Sequence, residues 1–74
     1  MISERDAKQF GRTLCIVRRR RGPSQEGLAA RAGLSRDTIH KLEMGHRSPT
    51  LGTMLAIADS LGVDPCELLK GLRP

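Results

Sequence analysis

The run Ser24-Gln25-Glu26-Gly27-Leu28-Ala29-Ala30-Arg31-Ala32-Gly33-Leu34-Ser35-Arg36-Asp37-Thr38-Ile39-His40-Lys41-Leu42-Glu43 decides the fold. Ser24 and Ser35 each stand where a helix needs an N-cap, a side-chain oxygen that accepts an otherwise unpaired backbone N–H. Between them, Leu28 and Ala32 mark the inner face of a short helix. Ala29 is small enough to let a second helix approach closely. Gly33 can adopt the left-handed conformation that ends a helix at little cost. Leu34 is placed to plug the core beneath the turn. After Ser35 a second helix runs to about Met44, with Ile39 and Leu42 pointing inward, and Gly45 ends it.

Two short helices joined by a tight turn make a helix-turn-helix, here over about residues 24–44. In that arrangement the second helix lies in the major groove of DNA and reads base edges. Its outward side chains here are Arg36, Asp37, Thr38, His40 and Lys41. Arg36 can bond guanine O6 and N7 together, Asp37 can accept from a cytosine amino group, and Thr38 can touch a thymine methyl. Each also has a plain alternative. Arg36 could be a solvated arginine, and Asp37 could be favoured by the helix dipole alone.

Working outward, apolar spacing is helical throughout. Phe10, Leu14 and Val17 recur at i, i+4 and i+7, which predicts a helix from Glu4 to about Arg20. Ser3 is its N-cap, and Gly22 stops it after the basic run Arg18 to Arg21. Four consecutive arginines cannot share one face at 100° per residue, so they do not form a single patch. Downstream, Thr50 caps a fourth helix with Leu51, Met54, Leu55, Ala58 and Leu61 on one face, closed by Gly62. Asp64-Pro65-Cys66-Glu67 signals a fifth helix start, with proline at the first helical position, carrying Leu68, Leu69 and Leu72. One face cannot bury all three leucines in so small a domain. Val63, Leu68, Leu69 and Leu72, with parts of the fourth helix, are therefore read as a dimer surface over about residues 61–72.

Seventy-four residues with Phe10 as the one aromatic allow a single domain, 1–74, around one aliphatic core. The fold class is all-α, a compact five-helix domain. The net charge of +5 suggests a polyanionic partner. Residues 1–47 hold eleven basic against five acidic side chains, so the charge coincides with the helix-turn-helix. No 18-residue apolar run is present, which predicts no membrane span, and the polar N-terminus argues against a secretory leader. Cys15 and Cys66 stand alone among apolar residues and read as buried or half-buried thiols in a reducing cytoplasm. His40 and His46 lack the spacing of a metal pair, and no nucleophile motif, paired carboxylates or phosphate-binding glycine loop is recognisable. A non-enzymatic chain without metal or cofactor is expected.

Five motifs in order resemble the lambda-repressor-like, Xre/Cro-type helix-turn-helix family over roughly residues 8–71. They are Gly-x-Ser-Gln at 22–25, Leu-Ala-x-x-Ala-Gly-Leu-Ser at 28–35, Thr-Ile-x-x-Leu-Glu-x-Gly at 38–45, Pro49-x-Leu51, and Leu-Gly-Val-Asp-x-x-Glu-Leu-Leu at 61–69. The resemblance implies a DNA-binding homodimer. It puts Arg36, Asp37 and Lys41 in base-reading positions, with Thr38 and His40 flanking. It puts Gln25 on a phosphate, beside the cap residues Ser24 and Ser35, and it pairs Arg18 with Glu43. Arg47, in the loop after the reading helix, is a further phosphate candidate. Two residues depart from the pattern: Pro23 replaces a leucine-like residue, and Gly27 replaces the glutamate of the capping box.

Together these readings imply a transcriptional regulator on an inverted-repeat, palindromic operator in double-stranded DNA. The short chain is similar in economy to restriction–modification controller proteins and to small phage-type repressors. Contact with RNA polymerase or another partner protein is compatible with it. The alternative is an antitoxin or adaptor module whose main role is to hold a partner protein.

Overall fold

The computed structural model describes residues 2–72 and is all helical in its regular elements. Helix α1 spans Glu4–Arg21, α2 Gln25–Ala32, α3 Arg36–Glu43 and α4 Leu51–Leu61, and a 3-10 turn covers Pro65–Leu69. Local chemistry sets each boundary. Ser3, Ser24, Ser35 and Thr50 accept the backbone N–H three residues on, from Asp6, Gly27, Thr38 and Thr53. At the turn between α2 and α3, Gly33 sits at φ 71°, a left-handed conformation that an L side chain rarely adopts.

The core gathers residues from every helix. Phe10, Leu14, Leu28, Ile39, Leu42, Ile57 and Leu68 are each less than 2 % exposed. Leu34 and Ala32 pack partly buried against this cluster beneath the turn. Helix α1 lies across α3 on one flank and across the 3-10 turn on the other. Toward α3 it presents Gly11, where a Cβ would stand 2.5 Å from the Glu43 carbonyl oxygen. Toward the 3-10 turn it presents Gln9 Nε2 and Thr13 Oγ1, which donate to the Lys70 carbonyl at 3.3 and 3.1 Å.

The structure departs from the sequence reading at several points. The fifth helix is a five-residue 3-10 turn, not an α-helix reaching Leu72. Asp64 and Pro65 start it as expected, but α1 side chains capture the Lys70 carbonyl, and Gly71 at φ 85° turns the chain away. Leu68 belongs to the core and is 0 % exposed, so it has no surface to offer a second copy. On α4, Ile57, Ala58 and Leu61 are buried, whereas Leu51 and Leu55 are 68 % and 47 % exposed. The core lies on one side of α4, and Leu51 and Leu55 stand at the outer edge of that apolar arc. Cys15 is half-buried, but Cys66 is exposed, and a hydrogen bond to Asp64 with its negative charge pushes the Cys66 thiol above its ordinary pKa.

Gly27 sits in α2 with its N–H on the Ser24 hydroxyl. A Cβ there would meet only Ser24 Oγ at 3.3 Å and the Pro23 ring at 3.6 Å. The hydroxyl is exposed and can yield by a few tenths of an ångström. Gly27→Ala is therefore expected to stabilise the fold by about 0.5–1 kcal/mol through helix propensity. Urea unfolding of the two proteins checks it, and an unchanged or lower midpoint would show that the cap cannot adjust.

Candidate nucleic-acid interface

Helix α3 is anchored by Ile39 and Leu42, both essentially unexposed. Its outward face carries Arg36, Asp37, His40 and Lys41, all exposed. Asp37 and Lys41, one turn apart, form an ion pair at 3.0 Å on the ridge opposite the core. The Lys41 hydrogen bond and charge hold the Asp37 carboxyl below its ordinary pKa. Arg36 stands about 140° round the helix from Lys41, so the two cations occupy different edges with Asp37 between them.

Thr38 is half-buried on the flank of α3 rather than on its outer ridge. Its Oγ1 lies 2.9 Å from Ser35 Oγ and accepts from Arg47 Nη1 at 3.4 Å. The cation of the loop after α3 thus leans against the first turn of α3. The hydroxyl oxygens of Ser24 and Ser35 are used as helix caps, accepting from Gly27 N at 3.0 Å and Thr38 N at 3.1 Å. The Ser24 hydroxyl hydrogen, together with the positive ends of α2 and α3, can still face an anion.

Beneath this surface lies a nearly dry polar cluster. Arg18 donates from Nε to Glu43 Oε2 at 2.6 Å and from Nη2 to Oε1 at 3.1 Å, a bidentate pair with side chains 10 % and 5 % exposed. Arg18 Nη1 also donates to the Pro23 carbonyl at 3.1 Å, tying in the segment before α2. Gln25 Nε2 donates to Glu43 Oε1 at 3.0 Å. Gln25, expected on a phosphate, is half-buried in the free chain with one amide hydrogen committed to Glu43. Its second amide hydrogen is the one that can meet DNA. Burial raises the Glu43 carboxyl pKa, but the donors Arg18 and Gln25 and the Arg18 charge outweigh it and hold the group below its ordinary value.

Gly11 and the Gln25–Glu43 link escaped the sequence reading. Gly11 left one usable signal: a glycine inside a long helix, on the side that carries Phe10 and Leu14. Among the described residues no group of three or more His, Cys, Asp or Glu is placed to hold a metal ion, and no helix is long and apolar enough to cross a membrane.

Comparison with known proteins agrees with this architecture. A helix-turn-helix domain model matches residues 9–70. An HTH-type transcriptional regulator, y4dJ of Sinorhizobium fredii, is 39% identical over 62 residues, covering 84% of this chain and 80% of the relative. The SPbeta prophage-derived HTH-type regulator YonR of Bacillus subtilis is 37% identical over 62 residues, covering 84% of this chain and 57% of its own length. Among solved structures, the restriction-modification controller protein C.AhdI from Aeromonas hydrophila superposes with a TM-score of 0.86 at 37% identity, over 88% of this chain and 94% of that one. With its capped α2–turn–α3 unit and the cationic outer face of α3, the chain belongs to the Xre/Cro-type helix-turn-helix family of sequence-specific DNA-binding transcriptional regulators.

Proposed function

We propose that the protein binds an inverted-repeat operator as a homodimer and acts as a restriction–modification controller. The observation that carries this reading is the outer face of α3. Arg36, Asp37, His40 and Lys41 are exposed there, on a helix clamped to α1 through Arg18 and Glu43. The likeness to C.AhdI over nearly all of that chain supports the controller role. For the dimer contact, the exposed Leu69, Leu51 and Leu55 join the half-buried Val63 and Leu72, and Leu68 is left out. In such a dimer the two α3 helices lie about one turn of DNA apart, ~34 Å or ~10 base pairs.

Arg36 contacts guanine, and Arg47, beside the first turn of α3, contacts phosphate. Arg36→Ala is then expected to relax preference at one base pair of each half-site, by ~1–3 kcal/mol. Arg47→Ala should weaken binding to all sequences alike and lower the salt slope by about one. Selection from a random DNA library, followed by titration of the winning sequence against scrambled DNA at two salt concentrations, tests both. A palindrome with guanines and a specificity ratio of ~10³ or more supports the reading. Uniform, steeply salt-dependent binding to every sequence overturns it.

A further inference from the structure

Resting on that reading, we propose that Asp37 and Lys41 act as one recognition unit that reads a single G·C base pair. They form a donor and an acceptor 3.0 Å apart on the exposed outer ridge of α3, turned away from the buried Ile39. An exposed i, i+4 pair of this kind contributes little to stability, because solvent screens it and holding two long side chains in one geometry costs entropy. Its consequence therefore lies in what the helix presents to a partner.

The major-groove edge of a G·C pair offers the matching pattern. Guanine O6 accepts, and the neighbouring cytosine N4 amino group donates. Within the base pair N4–H donates a hydrogen bond to O6, which sets the two atoms about 2.9 Å apart, close to the spacing of the ion pair. The hydrogen-bond count closes. O6 has a second lone pair for the Lys41 ammonium, and N4 has a second hydrogen for the Asp37 carboxylate. Lys41 has three hydrogens, enough for Asp37 and O6 together. Guanine N7 adds another acceptor on the Lys41 side.

The four possible base pairs then rank in a definite order. T·A in the same orientation also presents an acceptor and then a donor, thymine O4 beside adenine N6, but it puts a methyl group where N7 stood. C·G and A·T present the donor first, which sets an amino group against the ammonium and an acceptor against the carboxylate. The expected ranking is G·C first, T·A second, and the two inverted pairs last, roughly tenfold or more below G·C. The paired carboxylate also cancels the Lys41 charge toward phosphates. Removing it should raise affinity for scrambled DNA while lowering discrimination.

The test uses the full chain and the operator recovered by selection, with all four base pairs placed in turn at each half-site position. It is run on the native protein, Asp37→Ala and Lys41→Met, with thermal unfolding as a check that these exposed substitutions leave the fold intact. Support is a position ranked as above in the native protein, at which both variants flatten the ranking and the double variant adds little beyond either one. Asp37→Ala should also bind scrambled DNA more tightly than the native chain. The unit reading is overturned if the two variants lose discrimination at different positions, if their effects add, or if T·A ranks no better than the inverted pairs. A native protein that selects no operator overturns the proposed function as well. An operator read without this coupling overturns the unit alone.

Discussion

Gly11→Ala is expected to destabilise the protein by about 3 kcal/mol or more, lowering the unfolding midpoint by roughly 12 °C or more. Two effects oppose each other at this position. A glycine inside a helix costs up to ~1 kcal/mol relative to alanine, so propensity alone favours the substitution. Against it, the new methyl would stand against the Leu42 and Glu43 carbonyl oxygens, 2.5 Å from the latter. Those oxygens belong to the backbone at the end of α3 and cannot swing aside as a flexible side chain would. Relief requires moving α1 and α3 apart, which opens the core around Phe10, Leu14, Ile39 and Leu42 and strains the Arg18–Glu43 pair. A domain of this size has a total stability of only ~4–11 kcal/mol, so the clash removes a large share of it. Thermal unfolding of the native protein and the variant measures the difference. A midpoint unchanged or raised would mean that the helices separate freely.

Removing either partner of the buried pair is expected to cost about 3–5 kcal/mol, because a charge is then left unpaired in a nearly dry site. Arg18→Ala strands Glu43, whose side chain is 5 % exposed and keeps only Gln25 as a side-chain donor of comparable geometry. Glu43→Ala strands Arg18 and releases Gln25. The double variant Arg18→Met, Glu43→Met should lose less than either single one, since it leaves no buried charge. Urea unfolding of the native protein, Arg18→Met, Glu43→Met and the double variant closes this cycle. A double variant as unstable as the sum of the singles would show that packing, rather than the unpaired charge, sets the cost.

The same pair makes stability depend on pH in a defined direction. Glu43 titrates below its ordinary value when folded, so the folded state favours the carboxylate. Its contribution is complete above the ordinary glutamate pKa, about 4.3, and is lost as pH falls through the lower folded value. Acid unfolding of Glu43→Ala should therefore show a shallower loss of stability in that window than the native chain. The pair contributes orientation more than net stability. It joins α1 to the last residue of α3, while Gln25 joins the first turn of α2 to the same carboxylate. The helix proposed to meet base edges and the helix end proposed to meet phosphate are thus registered on one buried group. This is the kind of rigid support that a recognition surface needs.

The sequence by itself determined the first four helices and the turn between α2 and α3, because their causes are local. Ser3, Ser24, Ser35 and Thr50 cap bonds within three residues of themselves, and Gly33 makes its turn from its own backbone freedom. Such signals need no knowledge of what lies across the domain. The outward position of Arg36, Asp37, His40 and Lys41 was legible for the same reason: Ile39 and Leu42 fix which way an eight-residue helix turns its polar side. The tertiary structure alone decided the rest, because each remaining feature depends on a neighbour from a distant part of the chain. Gly11 matters only because the end of α3 crosses it. Gln25 turns inward only because Glu43 arrives beside it. Leu68 is core, while Leu51 and Leu55 are surface, because the core lies on one side of α4 and α1 holds the 3-10 turn against it through Gln9 and Thr13. Apolar periodicity identifies which residues can be buried. Which of them are buried is settled by the arrival of the element that covers them.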